Sequence, residues 1–223
     1  MENYFDAHHI GPGIWKWRHY LEIYHRHLAK FRGRAINCVE VGVFSGGSLR
    51  MWEWYFGPQA HIHGVDLDEG TRAYQNAHVT IHIGDQEDRT FWARFRNAVP
   101  SLDILLDDGG HTPQQQQITL EEILPHLRAG GVYICEDIHN EGNAFTAYVS
   151  GLIDQLHAAT SGAPIQTNSF QASVFSVHVY PFVVVIEKRD RPLPSLTAER
   201  HGSEWQPPVV VRQGYGKIMG RGG

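Results

Sequence analysis

The chain has 223 residues, with 24 acidic against 19 basic side chains and a net charge of −5 when histidines are neutral. That length suits one α/β domain with extensions at both ends, and the acidic balance without a basic run excludes nucleic acid as the main partner. No apolar stretch approaches the roughly 18 residues of a membrane span, and the start MENYFDAHHIGPG lacks the regions of a signal peptide, so a cytoplasmic location and no membrane partner are expected.

In chain order, Ile14 to Phe31 is expected as an aromatic helix in which Trp17, Tyr20, Leu21 and Tyr24 share one face. It serves as core packing, a lid over a pocket, or a subunit contact. A strand over 36–41 leads through a glycine loop into a helix near 47–55. Strands follow at 61–65, 79–83, 103–106 and 132–135, with helices near 69–76, 88–98, 113–127 and 144–159 between and after them. Pro113 suits a first helical turn, and Gly130-Gly131 a helix stop. Two β-rich runs, 172–179 and 182–187, joined at Tyr180-Pro181, read as a hairpin. The expected architecture is α/β: a Rossmann-like doubly wound sheet, mostly parallel with one antiparallel strand. The domain reading is a helical extension over 1–33, a ligand-binding domain over 34–188, and a Pro- and Gly-rich tail over 189–223. The tail contacts the surface or a second subunit, so a homo-oligomer is expected.

Cys38 and Cys135 fall in interior strands and read as buried free thiols. His61 and His63 share one strand face, but a metal site needs three or four ligands and no third lies nearby in sequence.

The loop after the first strand reads E-x-G-x-x-x-G-G: Glu40, Gly42, Gly46, Gly47. A dinucleotide site wants G-x-G-x-x-G, with pyrophosphate on the helix N-terminus. Here Val43 replaces the middle glycine, and the Glu40 carboxylate repels phosphate. A nucleoside ligand with a cationic amine and no phosphate fits better, and S-adenosylmethionine is such a ligand. Every parallel strand carries acidic residues at its carboxyl end, where open α/β sheets bind ligands. Glu40 would face the amino-acid end of the cofactor, beside Gly42, Ser45 and Gly46. Asp66 would accept the ribose hydroxyls, Asp85 and Gln86 would meet the adenine edge, and Asp107 completes the cofactor set. Asp108, Glu136 and Asp137 converge from neighbouring strands, and three oxygen ligands suit Mg²⁺ or another hard divalent ion. A hydrogen-bonded acidic patch is the other reading of that trio. His111, just past Asp108, is suited to take a proton from a substrate hydroxyl, with Asp108 beside it in the catalytic set. His139 is a weaker candidate.

The segments EVGVFSGGSL, GVDLD, IGDQ, LLDDGGH and GGVYICEDIH resemble the class I S-adenosylmethionine-dependent methyltransferases. More narrowly they resemble the metal-dependent sugar O-methyltransferases of macrolide tailoring (mycinamicin type), and the cephalosporin hydroxylase and rhamnosyl O-methyltransferase group. The resemblance covers roughly residues 15 to 140. It implies Mg²⁺ held by Asp108, Glu136 and Asp137, His111 as general base, and a small-molecule hydroxyl acceptor, either a sugar or a glycosylated natural product. Position 110 is Gly where those enzymes often have Ser, and the region after Ile138 matches no substrate pocket of the family. The rival readings are a dinucleotide-dependent oxidoreductase, a non-catalytic S-adenosylmethionine-binding protein, and a metal-dependent hydroxylase. The last lacks the 2-His-1-carboxylate pattern of non-haem iron.

Overall fold

A seven-stranded sheet with strand order 3-2-1-4-5-8-7 sorts the chain into two apolar layers. This computed structural model describes residues 1–139, 143–159 and 164–202. The central strands are β1 (Asn37–Val41), β2 (His61–Asp66), β3 (Val79–Ile83), β4 (Leu102–Asp107) and β5 (Leu127–Cys135). All pair in parallel. A two-residue pair, β6 (Ile165–Gln166) with β9 (Ser195–Leu196), lies apart from the main sheet. The hairpin of β7 (Val174–Tyr180) and β8 (Val183–Lys188) closes the edge next to β5. β8 runs antiparallel to β5, and β7 antiparallel to β8, so β8 is the one strand set against the rest. Expectation and structure agree on this architecture.

The helices are α1 (Glu2–Ala7), α2 (Tyr20–Leu28), α3 (Gly47–Phe56), α4 (Arg89–Ala98), α5 (Pro113–Ile123), α6 (Ala144–His157) and α7 (Ser169–Ser173). On one sheet face Tyr20, Tyr24 and Leu28 of α2 pack with Trp52 and Phe56 of α3 over Cys38 and Ile62. On the other, Trp92 and Phe95 of α4, Leu120 of α5 and Phe145 of α6 cover Val39, Leu105 and Tyr133. Both cysteines are free and buried, as expected. Residues 20–31 are therefore part of the central core. No helix among the described residues is long and apolar enough to cross a membrane.

Three expectations change. The helix read from Ile14 begins only at Tyr20, so Ile14 to Trp17 are not helical. Gly11-Pro12-Gly13 precede them, and the Lys16 side chain is drawn inward to carboxylates that a helix axis through this segment would not reach. Helix α5 ends at Ile123 and not near 127, because Pro125 removes a backbone donor and its ring clashes with the preceding turn, so Gly130-Gly131 lie within β5 and are not the helix stop. The segment after β2 winds as a 3₁₀ helix over Glu69–Tyr74. Residues 203–223 lie outside the described residues, and with them Trp205 and the Val209–Val211 run of the expected tail.

The histidine face of β2 gains a neighbour that the linear sequence concealed. His82 on β3 stands beside His63, with 3.1 Å between ring nitrogens, and His63 also reaches Asn37 at 3.3 Å. Burial pushes His63 down to about 3, so the ring is held neutral inside a hydrogen-bonded row. At the hairpin, His27 of α2 contacts Glu187 through Nδ1 (3.2 Å) and Tyr180 through Nε2 (2.9 Å), locking β7 and β8 to the helical layer.

Candidate active site

A single large cavity of about 960 Å³ opens over the carboxyl ends of β1 to β5. One end of it is built on the glycine loop. Gly42 has φ +87°, and a Cβ there would run into the Asp108 carbonyl oxygen, so glycine lets the loops after β1 and β4 cross. The Asp66 carboxylate at the end of β2 fastens this loop. Its Oδ2 accepts from the N–H groups of Val43 (2.8 Å) and Phe44 (3.1 Å), and its Oδ1 from Asp68 N–H (2.9 Å). A carboxylate has about four acceptor sites, so Asp66 can still receive a ribose hydroxyl. Gly46 N–H bonds Val43 O and Gly47 N–H bonds Gly13 O, so neither of these two amides is open to a phosphate at the start of α3.

The other end is acidic and holds an internal cation. Lys16 is buried, and its Nζ donates to Asp108 Oδ2 (2.5 Å) and Glu136 Oε2 (3.0 Å), with Glu40 Oε1 at 3.3 Å. Burial works against the ammonium, but Glu136 above all, with Tyr24, Asp108 and Glu40, holds its pKa well above the usual lysine value. The Tyr24 hydroxyl donates to the second Glu136 oxygen at 2.6 Å. Asp137 Oδ1 accepts from the Tyr20 hydroxyl (2.6 Å) and the Trp17 indole N–H (3.0 Å). Asp137 Oδ2 is left facing His111 Nε2 at 3.8 Å. Both His111 (φ +60°) and Asp137 (φ +52°) sit in the left-handed region that non-glycine residues avoid, and such strain clusters at functional sites.

Of the expected site residues, Gly42, Ser45, Asp66, Asp85, Asp108, His111, Glu136 and Asp137 line the cavity. Four others act differently from the expectation. Glu40 is fully buried behind Lys16 and accepts from the Ser48 hydroxyl at 2.6 Å, because the strand pleat turns its side chain toward α3. Asp107 is set back under the sheet end, where it accepts from Gln86 (3.1 Å) and Tyr133 (3.3 Å); burial pushes it up to about 7. Gln86 touches the cavity, but its amide is committed to Asp107, Thr119 and Gly110 N–H, which makes it a strut between the β3 and β4 ends. Gly46 carries the turn beneath the Tyr74 ring and does not line the cavity.

The metal trio is brought together in part. Asp108, His111 and Asp137 present ligand atoms that all lie within 4.8 Å of one another. Glu136 stands beside them with one oxygen on Lys16 and the other on Tyr24. Hard carboxylate oxygens around an open cavity, with spare lone pairs on each, fit Mg²⁺. Three carboxyl groups (Glu40, Asp108, Glu136) contact one ammonium, and Asp137 stands apart from it on Tyr20 and Trp17, which together gathers oxygen donors suited to a divalent ion.

Lys16, Tyr20 and Tyr24 complete this centre, and reasoning from the sequence assigned them no part in it. The available signal was the acidic excess at the strand ends, which calls for a resident cation; lysine is otherwise almost never buried unless paired. The helical reading of 14–31 named the face of Trp17, Tyr20, Leu21 and Tyr24 and gave Lys16 no role.

The family model described as a methyltransferase domain matches residues 39–138. The 8-demethyl-8-alpha-L-rhamnosyl tetracenomycin-C 2'-O-methyltransferase of Streptomyces olivaceus is 30% identical over 202 residues, which cover 80% of this chain and 52% of that protein. Mycinamicin VI 2''-O-methyltransferase of Micromonospora griseorubida is 30% identical over 188 residues, or 74% of this chain and 47% of its own. The solved structure of the MycE methyltransferase in complex with Mg, SAH and mycinamycin VI is similar with TM-score 0.69 at 26% identity, covering 84% of this chain and 52% of that one. The chain thus spans about half the length of the curated relatives it matches. The sheet order, the glycine loop and the acidic strand ends agree with these similarities, and residues 39–138 are similar to the methyltransferase domain family.

Proposed function

We propose that this chain is an S-adenosylmethionine- and Mg²⁺-dependent O-methyltransferase that acts on a sugar hydroxyl of a glycosylated small molecule. One observation carries the reading: a single cavity has a glycine loop and Asp66 at one end and Asp108, His111 and Asp137 gathered at the other. The relatives named above methylate sugar hydroxyls by their names, and the MycE structure holds SAH and Mg.

In this reading the cofactor lies along the 34–188 unit with its ribose at Asp66. Asp108, Asp137 and Glu136 hold Mg²⁺, which when bound supplies a Lewis acid that lowers the pKa of the acceptor hydroxyl. His111 takes the hydroxyl proton, and Asp137 Oδ2 stabilises the imidazolium that results. The hydroxyl oxygen bonds to the methyl carbon as the carbon–sulfur bond breaks, giving a methyl ether and S-adenosylhomocysteine. Positioning of oxygen against methyl can supply about 7–11 kcal/mol. Lys16 pairs with Glu136 and Asp108 and holds them in alignment.

A dinucleotide oxidoreductase is disfavoured because Asp66 already occupies the loop amides that a pyrophosphate would need. The test is a pair of calorimetric titrations, with S-adenosylhomocysteine and with NAD, followed by a methyl-transfer assay on a rhamnoside with and without chelator. The reading expects binding of the first ligand alone and transfer that stops in chelator. Full transfer in excess chelator overturns the metal role, and binding of NAD alone overturns the cofactor. We further propose a homo-oligomer, supported by the exposed Phe175 and Val179 on edge strand β7 and checked by light scattering.

A further inference from the structure

Large exposed apolar side chains gather at this cavity in two sets. Phe44 (75% exposed) and Leu67 (65%) flank Asp66, on the nucleoside side. Trp15 (87%) and Trp17 (50%) flank Lys16, on the side of Asp108 and Asp137. The second set has no part in the chemistry proposed above. Lys16 points inward while its neighbours on either side point outward, so the same contact that buries the ammonium presents two indoles to the cavity.

This wall is held firmly. The Trp17 N–H is fixed on Asp137. The Phe182 ring packs against both Trp17 (centroids 5.7 Å apart) and His139 (4.8 Å). The hairpin tip that carries it is tied down by Ile138 N–H to Phe182 O (3.0 Å) and by His19 Nε2 to Pro181 O (3.0 Å). Phe182 adopts φ +62°, a cost borne by a residue whose ring backs Trp17 and His139, the two rings of this wall that it touches and that line the cavity. Because the one Trp17 donor is spent on Asp137, the wall offers flat apolar faces. The cavity volume is at the top of the range of about 300–1,000 Å³ for one drug-sized ligand, which leaves room for a second molecule beside the cofactor.

We infer that Trp15, Trp17 and Phe182, with His139, form an aglycone subsite that takes the flat apolar part of a glycoside whose sugar hydroxyl lies at Asp108, His111 and Asp137. The inference rests on the O-methyltransferase reading. The wall is continuous with the reacting centre through the Trp17–Asp137 bond, and exposed apolar patches of this kind mark binding surfaces.

The test compares two probes with the same sugar, 4-nitrophenyl and methyl α-L-rhamnopyranoside, titrated into the full chain with Mg²⁺, with and without S-adenosylhomocysteine. The wild type should bind the nitrophenyl glycoside about tenfold more tightly, as expected from aromatic contacts. Trp15→Ala and Phe182→Leu should each bring the preference to about threefold or less while leaving S-adenosylhomocysteine affinity within about twofold; Phe182→Leu keeps apolar bulk so that folding is preserved. Equal binding of the two glycosides, binding of neither, or a preference that survives Trp15→Ala overturns the subsite. A change in oligomeric state in Trp15→Ala with the preference intact does so too, and assigns the indole to a chain contact. Failure of S-adenosylhomocysteine to bind overturns the methyltransferase reading instead, and the glycoside preference measured without it still decides the subsite.

Discussion

Lys16 Nζ donates to Glu136 Oε2 across 3.0 Å, and the two side chains are 2% and 0% exposed. They lie 120 residues apart in the chain. A fully desolvated pair of this kind contributes little over an apolar replacement of both partners. Removing one partner leaves an uncompensated buried charge.

Lys16→Met is therefore expected to destabilise the metal-free protein by about 3–5 kcal/mol. Urea unfolding monitored by tryptophan fluorescence measures this. Added Mg²⁺ should recover part of the loss by neutralising the same carboxylates. A change below about 1 kcal/mol would mean that water or a neighbouring group already screens the pair.

His111→Ala should reduce methyl transfer by roughly 10²–10⁴-fold, the usual contribution of a general base. S-adenosylhomocysteine affinity should stay within about twofold, because the imidazole stands at the acidic end of the cavity, away from Asp66. The side chain is 37% exposed, so its removal is not expected to cost core packing. Single-turnover kinetics with parallel calorimetry separates the two effects. An unchanged rate would transfer the proton to another acceptor.

The His63 row makes stability fall in acid. Its folded pKa is depressed to about 3 by burial, with His61 and His82 adding to the effect, against an ordinary value of 6.5. The unfolded chain then binds a proton that the folded chain refuses, so stability present above about pH 6.5 is lost as pH falls toward 3. Between pH 7.5 and pH 4.5 the loss from this residue is roughly 2–3 kcal/mol. Urea unfolding of wild type and His63→Leu at both values isolates it. The variant should show a smaller difference between the two pH values, and an equal difference would place the titration elsewhere.

How far the sequence could be read follows from how local each feature is. The alternation of apolar runs with glycine-marked turns announced the sheet, because a parallel strand buried on both faces needs an apolar run such as Ile104 to Leu106. Asp108, His111 and Asp137 were legible because they lie immediately beyond strand ends, where the topology itself delivers them to one edge. Glu40, Asp107 and Gln86 lie equally close to strand ends, yet the pleat and neighbouring side chains turn them to structural work. Residue type cannot report which way a strand-end carboxylate faces. Lys16 was illegible for a different reason: its partners come from β1, β4 and β5, so nothing within its own segment distinguishes it from a solvated lysine. The same holds for His82, whose place beside His63 depends on the pairing of β2 with β3.

Trp17 has a double attachment, its indole N–H on Asp137 and its ring against Phe182. In the proposed reading, the hold on the glycoside and the hold on the ion thus meet in one side chain. A substitution that widens the first at this position also slackens the second. Adaptation to a bulkier or flatter partner has to proceed through Trp15 or the hairpin tip, where the wall can change shape without releasing the carboxylate.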